Sequence, residues 1–232
     1  LMSYARRLLA LNDEAVSAVS GLELEGWVRL GLQEDFGETI LPQVLGRFAR
    51  AHPKVRIEGR VARNDELKAK IASGQLDLAL AWDDGAENTR AQPIASLPLH
   101  WLGPAEADGL RYCAEGAPVP LVALEAPCIL RTLACEQLDR HGLSWRLAFV
   151  SPSLGGMWAA TSAGLGVAVR TSFGIPPSVK PLDPASTGLP ELPALKLALL
   201  RARKDIGPTG EHLAAIMTEA LREALPAKWL TA

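Results

Sequence analysis

VRLGLQEDFGETILPQVLGRFARAHPKVRIEGRVARNDELKAKIASGQLDLALA, residues 28–81, switches repeatedly between two kinds of apolar spacing. GWVRLGLQ (26–33) reads as a strand. TILPQVLGRFARAHP (39–53) sets Leu41, Val44, Leu45 and Phe48 on one helical face and is stopped by Pro53. KVRIEGRVA (54–62) is a second strand. NDELKAKIASG (64–74) predicts a short helix with Asn64 as its N-cap and with Asp65 and Glu66 in the first turn, where the helix dipole favours acids. LDLALAW (76–82) is nearly all apolar, the mark of a strand buried on both faces. Strand–helix–strand–helix–strand with short joints predicts parallel βαβ units and an α/β fold.

Beyond Asp83 the pattern loosens through residue 97 and then restarts. Strands are expected over 97–103, 120–124, 145–151 and 167–173, with helices over 129–142 and 153–166. Pro-rich residues 176–193 form a connection with room for one short edge strand. A strand over 194–203 and an amphipathic helix over 208–225 close the chain and complete its first module. The expectation is two Rossmann-like lobes joined by two crossover segments, near 83–97 and 188–194. Lobe 1 takes residues 22–94 and 194–232, and lobe 2 takes 95–193. Ahead of them Tyr4, Leu8, Leu11, Ala15, Ala18 and Leu22 step as a heptad seam over residues 1–21. That seam fits a first helix packed on the core or a dimerising linker helix.

Of 232 residues 48% are hydrophobic and 22% charged, as in an ordinary globular chain. A net charge of −2 with no Lys/Arg block gives these residues a poor surface for nucleic acid, since neutralising phosphates takes a basic face. No apolar run reaches the ~18 residues of a membrane span, so no membrane partner is expected. LMSYARRLLA shows no secretory leader, and its start in mid-pattern without Met reads as a piece of a longer chain. Three cysteines, an odd number, read as reduced thiols in the cytoplasm.

VSPSLGGMWAATSAGLGVAVR (150–170) puts Ser151 and Ser153 where a helix begins. The nucleophile-elbow motif G-x-S-x-G is missing. His52, His100, His141 and His212 lie in segments far apart in the sequence, none at a strand end facing those serines. H-E-x-x-H, Walker A and G-x-G-x-x-G patterns are also missing, so no catalytic residue, metal or cofactor is expected. The serines read as helix caps and lining of a ligand pocket.

Residues 28–81 taken whole resemble the effector-binding domain of LysR-type transcriptional regulators. That family shows a strand, a loop, a helix opened by LLP and closed by F…P, a second strand, and an L…L..G.lDlai segment. MWAATSAGLGVAV (157–169) is similar to the family's second signature, aAGLGia. The resemblance runs over roughly residues 22–225, and it puts the heptad helix where the family has its linker, after a winged helix-turn-helix that this chain does not contain. It implies a hinged, two-lobed sensor related to periplasmic solute-binding proteins. A small effector would sit between the lobes, the assembly would be a homodimer or homotetramer, and promoter DNA would be met through the missing N-terminal part. Side-by-side association would use helix 39–51 and the helix at 211–225.

Loops at the carboxyl ends of parallel strands line such a crevice, and helix N-termini there offer unpaired N–H groups. Asp35, Phe36, Thr39, Arg63, Asn64 and Asp83 are the candidates in lobe 1, and Cys128, Ser151, Ser153, Leu154 and Arg170 in lobe 2. Asp35 and Glu38 also outline a D-x-x-E capping box, and an arginine by default lies on a solvated rim. Asp35 stands where the family commonly has Ser or Thr, and with Glu34 it would repel a simple carboxylate. Peroxide-sensing members place their reactive cysteine at the position of Cys128. Cys135, two turns along the same helix, would be its partner, although about 10 Å of helix separates the two. An inert pocket-lining thiol is the plainer reading, and a periplasmic-type solute-binding protein is the other alternative.

Overall fold

The computed structural model describes residues 24–83, 85, 91–106 and 116–231. The helix expected over residues 1–21 and the thiol Cys113 lie outside the described residues. The chain divides into two compact units, one formed by the residues through Ala95 with Leu197 onward, the other by Ser96–Lys196.

In the first unit β1 (Gly26–Leu32) lies between β2 (Val55–Val61) and β3 (Leu78–Asp83), and both run parallel to it. Val28, Leu30 and Leu32 are buried along one face of β1, and β3 is buried from Leu78 through Trp82, as its apolar run predicts. α1 (Glu34–Gly37) is one turn, followed by α2 (Leu41–Ala51), which buries Val44 and Phe48 and carries Leu41 and Leu45 half-buried. α3 (Asn64–Ala72) buries Leu67 and Ile71 against Leu76, Ala79 and Ala198. Gly31 permits that approach, because a Cβ there would stand 2.6 Å from Leu67 Cδ2 and 2.7 Å from Leu76 Cδ1. At the N-terminal ends of the strands Asp77 takes three hydrogen bonds from Arg29, two from the guanidinium and one from the backbone N–H. Burial alone would raise the Asp77 pKa, but those bonds and the adjacent positive charge hold it below the ordinary carboxylate value.

β4 (Ala91–Pro104) begins well before the strand expected at 97. Pro93 lies ahead of the expected start and Pro98 inside the expected strand. Pro93 is exposed and Pro98 half-buried, while Ile94, Ala95, Leu97 and Leu99 are buried around them. The chain passes into the second unit within β4 and returns within β9 (Ala194–Arg201).

In the second unit β5 (Val119–Leu124) pairs in parallel with β6 (Trp145–Ser151). β7 (Ala168–Thr171) and β8 (Val179–Pro181) both run antiparallel to β4, and β8 is the short edge strand expected in the Pro-rich connection. Two 2.8 Å hydrogen bonds, Val122 N–H to the Val167 carbonyl and Val167 N–H to the Pro120 carbonyl, join β5 to the start of β7. α4 (Ile129–Arg140) buries Leu130, Ala134 and Leu138, a four-residue stripe. α5 (Leu154–Ser162) buries Met157 and Ala160 against Leu102, Val122, Leu124 and Ala168. α6 (Pro184–Thr187) is a single turn capped by Asp183, whose carboxylate accepts from the Ala185 N–H at 3.2 Å.

α7 (Gly207–Ala224) returns to the first unit and packs on α2. Arg47 of α2 bonds Glu219 at 2.9 Å and lies 3.7 Å from Glu223, both on α7. The two helices named above as association surfaces thus pack on each other within the first unit.

Candidate functional site

Two groups of strand-to-helix corners carry buried polar side chains, Gln33, Asp35 and Asn64 in the first unit and Ser151 in the second. In the first unit Gln33 ends β1 and caps α1 through its backbone, its carbonyl accepting from the Phe36 and Gly37 N–H groups at 3.0 and 3.2 Å. Its side-chain amide donates to Asn64 Oδ1 at 2.8 Å, and the Trp82 N–H donates to the same oxygen at 2.8 Å. One amide oxygen thus ties the carboxyl end of β1, the entry to α3 and the end of β3. Phe36 packs on Trp82 with ring centroids 5.4 Å apart, closing the apolar side of this knot. Thr39 Oγ1 donates to the Asp35 carbonyl at 3.4 Å, and Asp83 Oδ1 accepts from the Gly85 N–H at 3.0 Å.

Two sequence expectations change here. Arg63, not Asn64, occupies the N-cap of α3, and no side chain caps that helix. Asn64 is the first helical residue, and its side chain turns to the strand ends because two buried donors there need an acceptor. The D-x-x-E capping box does not form either. α1 is a single turn whose N-cap is Gln33, so Asp35 falls inside the turn and Glu38 at its C-cap. Trp82 was missed as a member of the corner, and Gln33, which opens the expected corner at 33–39, was not among the candidate contacts; the usable signal was a polar residue ending a buried strand.

In the second unit Ser151 ends β6 and is buried. Its Oγ donates to the Ser153 carbonyl at 2.8 Å and accepts from the Ser153 N–H at 3.1 Å, so it locks the turn and is not a cap. Ser153 is the N-cap of α5, its Oγ accepting from the Gly156 N–H at 3.3 Å, as the sequence predicts. Gly156 is fixed by this turn, since a Cβ would collide with Ser151 Oγ and lie 3.4 Å from Ser153 Oγ. Leu154 is half-buried on the apolar cluster beneath α5.

Cys128 stands at the N-cap of α4 with its backbone carbonyl, not its thiol, holding the turn: the Thr132 N–H and Oγ1 donate to it at 3.0 and 3.2 Å. With Arg131, Met157 and Arg170 it lines a cavity of about 10 Å³, room for a single water. Arg170 is the fourth correction. It is 4% exposed on β7, with Nη2 3.7 Å from Met157 Sδ, not on a solvated rim. Cys135 is half-buried further along α4, and burial pushes its thiol pKa up, which disfavours the thiolate. Both thiols are free. The structure also joins two histidines that the sequence keeps apart, His52 and His212, in edge-to-face contact in the first unit.

Residues 22–222 match the family of LysR substrate binding domains. The chain belongs to that family. Among curated relatives of the LysR domain, the transcriptional regulator PecT of Dickeya dadantii is 30% identical over 200 residues, covering 86% of this chain and 61% of PecT. The transcriptional regulator DgdR of Burkholderia cepacia is 30% identical over 230 residues, covering 97% of this chain and 74% of DgdR. The chain thus spans about three-fifths to three-quarters of these regulators. The regulatory domain of CcmR from Synechocystis PCC6803, solved in complex with 2-PG, superposes with a TM-score of 0.66 at 18% identity, over 84% of this chain and 98% of that one. The fold is the two-lobed, periplasmic-binding-protein-like α/β fold of LysR regulatory domains, as the sequence resemblance implies.

Proposed function

We propose that this chain is the effector-sensing part of a LysR-type transcriptional regulator and that its strand-to-helix corners take the effector. The observation that carries the reading is the Gln33–Asn64–Trp82 knot at the carboxyl ends of parallel strands, where open α/β sheets bind their ligands. The effector-contacting set comprises Asp35, Phe36, Thr39, Arg63, Asn64 and Asp83 from the first unit and Cys128, Ser151, Ser153, Leu154 and Arg170 from the second. Binding shifts the population of conformers, and the full-length regulator reads that shift at promoter DNA through a winged helix-turn-helix in the cytoplasm. The role is sensing and not catalysis. Among the described residues no helix is long and apolar enough to cross a membrane.

The test is calorimetry of the purified chain against a panel of small carboxylic acids, sugars and phosphate esters, the last suggested by the 2-PG complex of CcmR. Thr39→Val and Ser153→Gly remove a hydroxyl each with little loss of stability, because glycine is a tolerable N-cap. A ligand bound by the parent chain is expected to lose about tenfold in affinity in each variant, about 1.4 kcal/mol. Unchanged isotherms in both would remove the assignment.

Self-association belongs to the same proposal, but on a different surface from the two helices. Large apolar side chains remain exposed on β6, where Leu147, Phe149 and Val150 are 36%, 37% and 39% exposed. β6 pairs with β5 alone among the described strands, so its other edge is open. Phe149→Glu is expected to weaken self-association by at least ~tenfold in sedimentation equilibrium, while Arg47→Gln leaves it unchanged. The peroxide-sensing alternative has Cys128 beside Arg131 and Arg170 in its favour, and the burial of Cys135 against it.

A further inference from the structure

His52 is the C-cap of α2 and is 6% exposed. Its backbone N–H donates to the Phe48 carbonyl at 2.9 Å, and its carbonyl accepts from the Val55 N–H at 3.1 Å, which fixes the residue between α2 and β2. The imidazole meets His212 of α7 edge to face, with centroids 4.7 Å apart and planes at 87°. Phe48 completes the cluster at 5.0 Å from His52 and 6.0 Å from His212. His52 Nε2 is buried and has no hydrogen-bond partner.

The charged groups on the elements around this cluster are either paired elsewhere or exposed. On α2, Arg47 is held by Glu219 and Glu223, and Arg50 lies in the exposed last turn. On α7, Glu211 is bound by Arg201 at 3.4 Å, and Arg222 lies exposed near the far end. Lys54, two residues after His52, adds positive charge nearby. β1 presents Val28, Leu30 and Leu32 as its buried face. Among the described residues no carboxylate reaches either imidazole, so a proton gained by the pair finds no counter-charge.

We propose that the His52–His212 contact is an acid-operated release of α7 from α2. When both rings are neutral, the edge-to-face contact and the cover of Phe48 hold the two helices together. A proton on His52 places a charge in an apolar seam beside a second imidazole, and the contact is lost. The direction is consistent with burial first, and His212 second, lowering the His52 pKa from its ordinary value. A base whose pKa is lower folded than unfolded contributes full stability above the unfolded value, and that stability falls as pH drops through it. One proton taken up on opening changes the opening equilibrium by up to about tenfold per pH unit.

Hydrogen-exchange protection factors of the α7 amides in the whole chain, corrected for intrinsic exchange, test this between about pH 7.5 and about pH 5.5, the range in which histidines titrate. In the parent chain protection is expected to hold above about pH 6.5, the ordinary histidine value, and to fall severalfold per pH unit below it, and to be flat throughout in His52→Phe. His100 on β4 is pushed the same way by burial, so His100→Gln serves as a control and is expected to leave the α7 response intact. If His52→Phe fails to fold, NMR titration of the parent histidines decides. A His52 pKa below the ordinary value of about 6.5 supports the release, and one at or above it overturns the idea. Protection on α7 that does not change with pH in the parent chain also overturns it.

Discussion

Gly166→Ala is expected to cost about 3 kcal/mol or more, at the upper end of what one added methyl does in a packed interior. A Cβ at residue 166 would overlap the Pro120 carbonyl oxygen and lie 2.8 Å from its carbon. Those are backbone atoms of β5 and have no rotamer to escape into. The same carbonyl accepts the Val167 N–H, so relieving the overlap means lengthening one of the two bonds that join β5 to the start of β7. A urea titration of the second unit is the check. The midpoint should fall with the slope unchanged, because the surface exposed on unfolding stays the same. Gly155→Ala, where an added Cβ meets nothing within 4 Å, is the matched control and should be close to neutral.

Asn64→Leu should be comparably damaging in the first unit, for a different reason. It keeps the branching and heavy-atom count of the buried side chain, with bulkier ends, but removes the one oxygen that accepts from both Gln33 Nε2 and the Trp82 N–H. Each buried donor left without a partner costs about 1–3 kcal/mol, and two are orphaned, so a loss of about 3 kcal/mol is expected. The Trp82 amide proton should exchange much faster in this variant at a denaturant concentration where both proteins remain folded. A variant within about 0.5 kcal/mol of the parent, the range usual for surface substitutions, would show that water replaces the lost acceptor.

The regular elements were legible where one period ran uninterrupted. Trp145–Ser151 is the strand that its composition predicts, residue for residue, and Ser153 caps α5 as a serine before a small-residue helix should. Errors arose where the deciding partner lies far along the chain. Asn64 looks like a helix cap because a cap and a first helical residue differ by one position. What settles its role is Trp82 eighteen residues later and Gln33 thirty-one earlier. The first part of β4 falls in the stretch where the apolar pattern loosens and holds Pro93, a residue that is disfavoured in strands in general but tolerated where its missing N–H is not needed. Arg170 looks like a rim residue until β7 is seen to be buried along its whole length. The return of α7 to the first unit is legible in the sequence, but the meeting of His52 and His212 is not, because it depends on which faces of α2 and α7 oppose each other.

That return has a consequence for biogenesis. The second unit is one uninterrupted stretch, whereas the first waits for β9 and α7, which are translated after the second unit. On the ribosome the second unit can therefore mature ahead of the first, the reverse of the usual N-to-C order. Until the final helix emerges, Phe48 and the inner edge of β3 are bare apolar surface on a nascent polypeptide, and a premature stop codon anywhere before β9 would leave them so permanently.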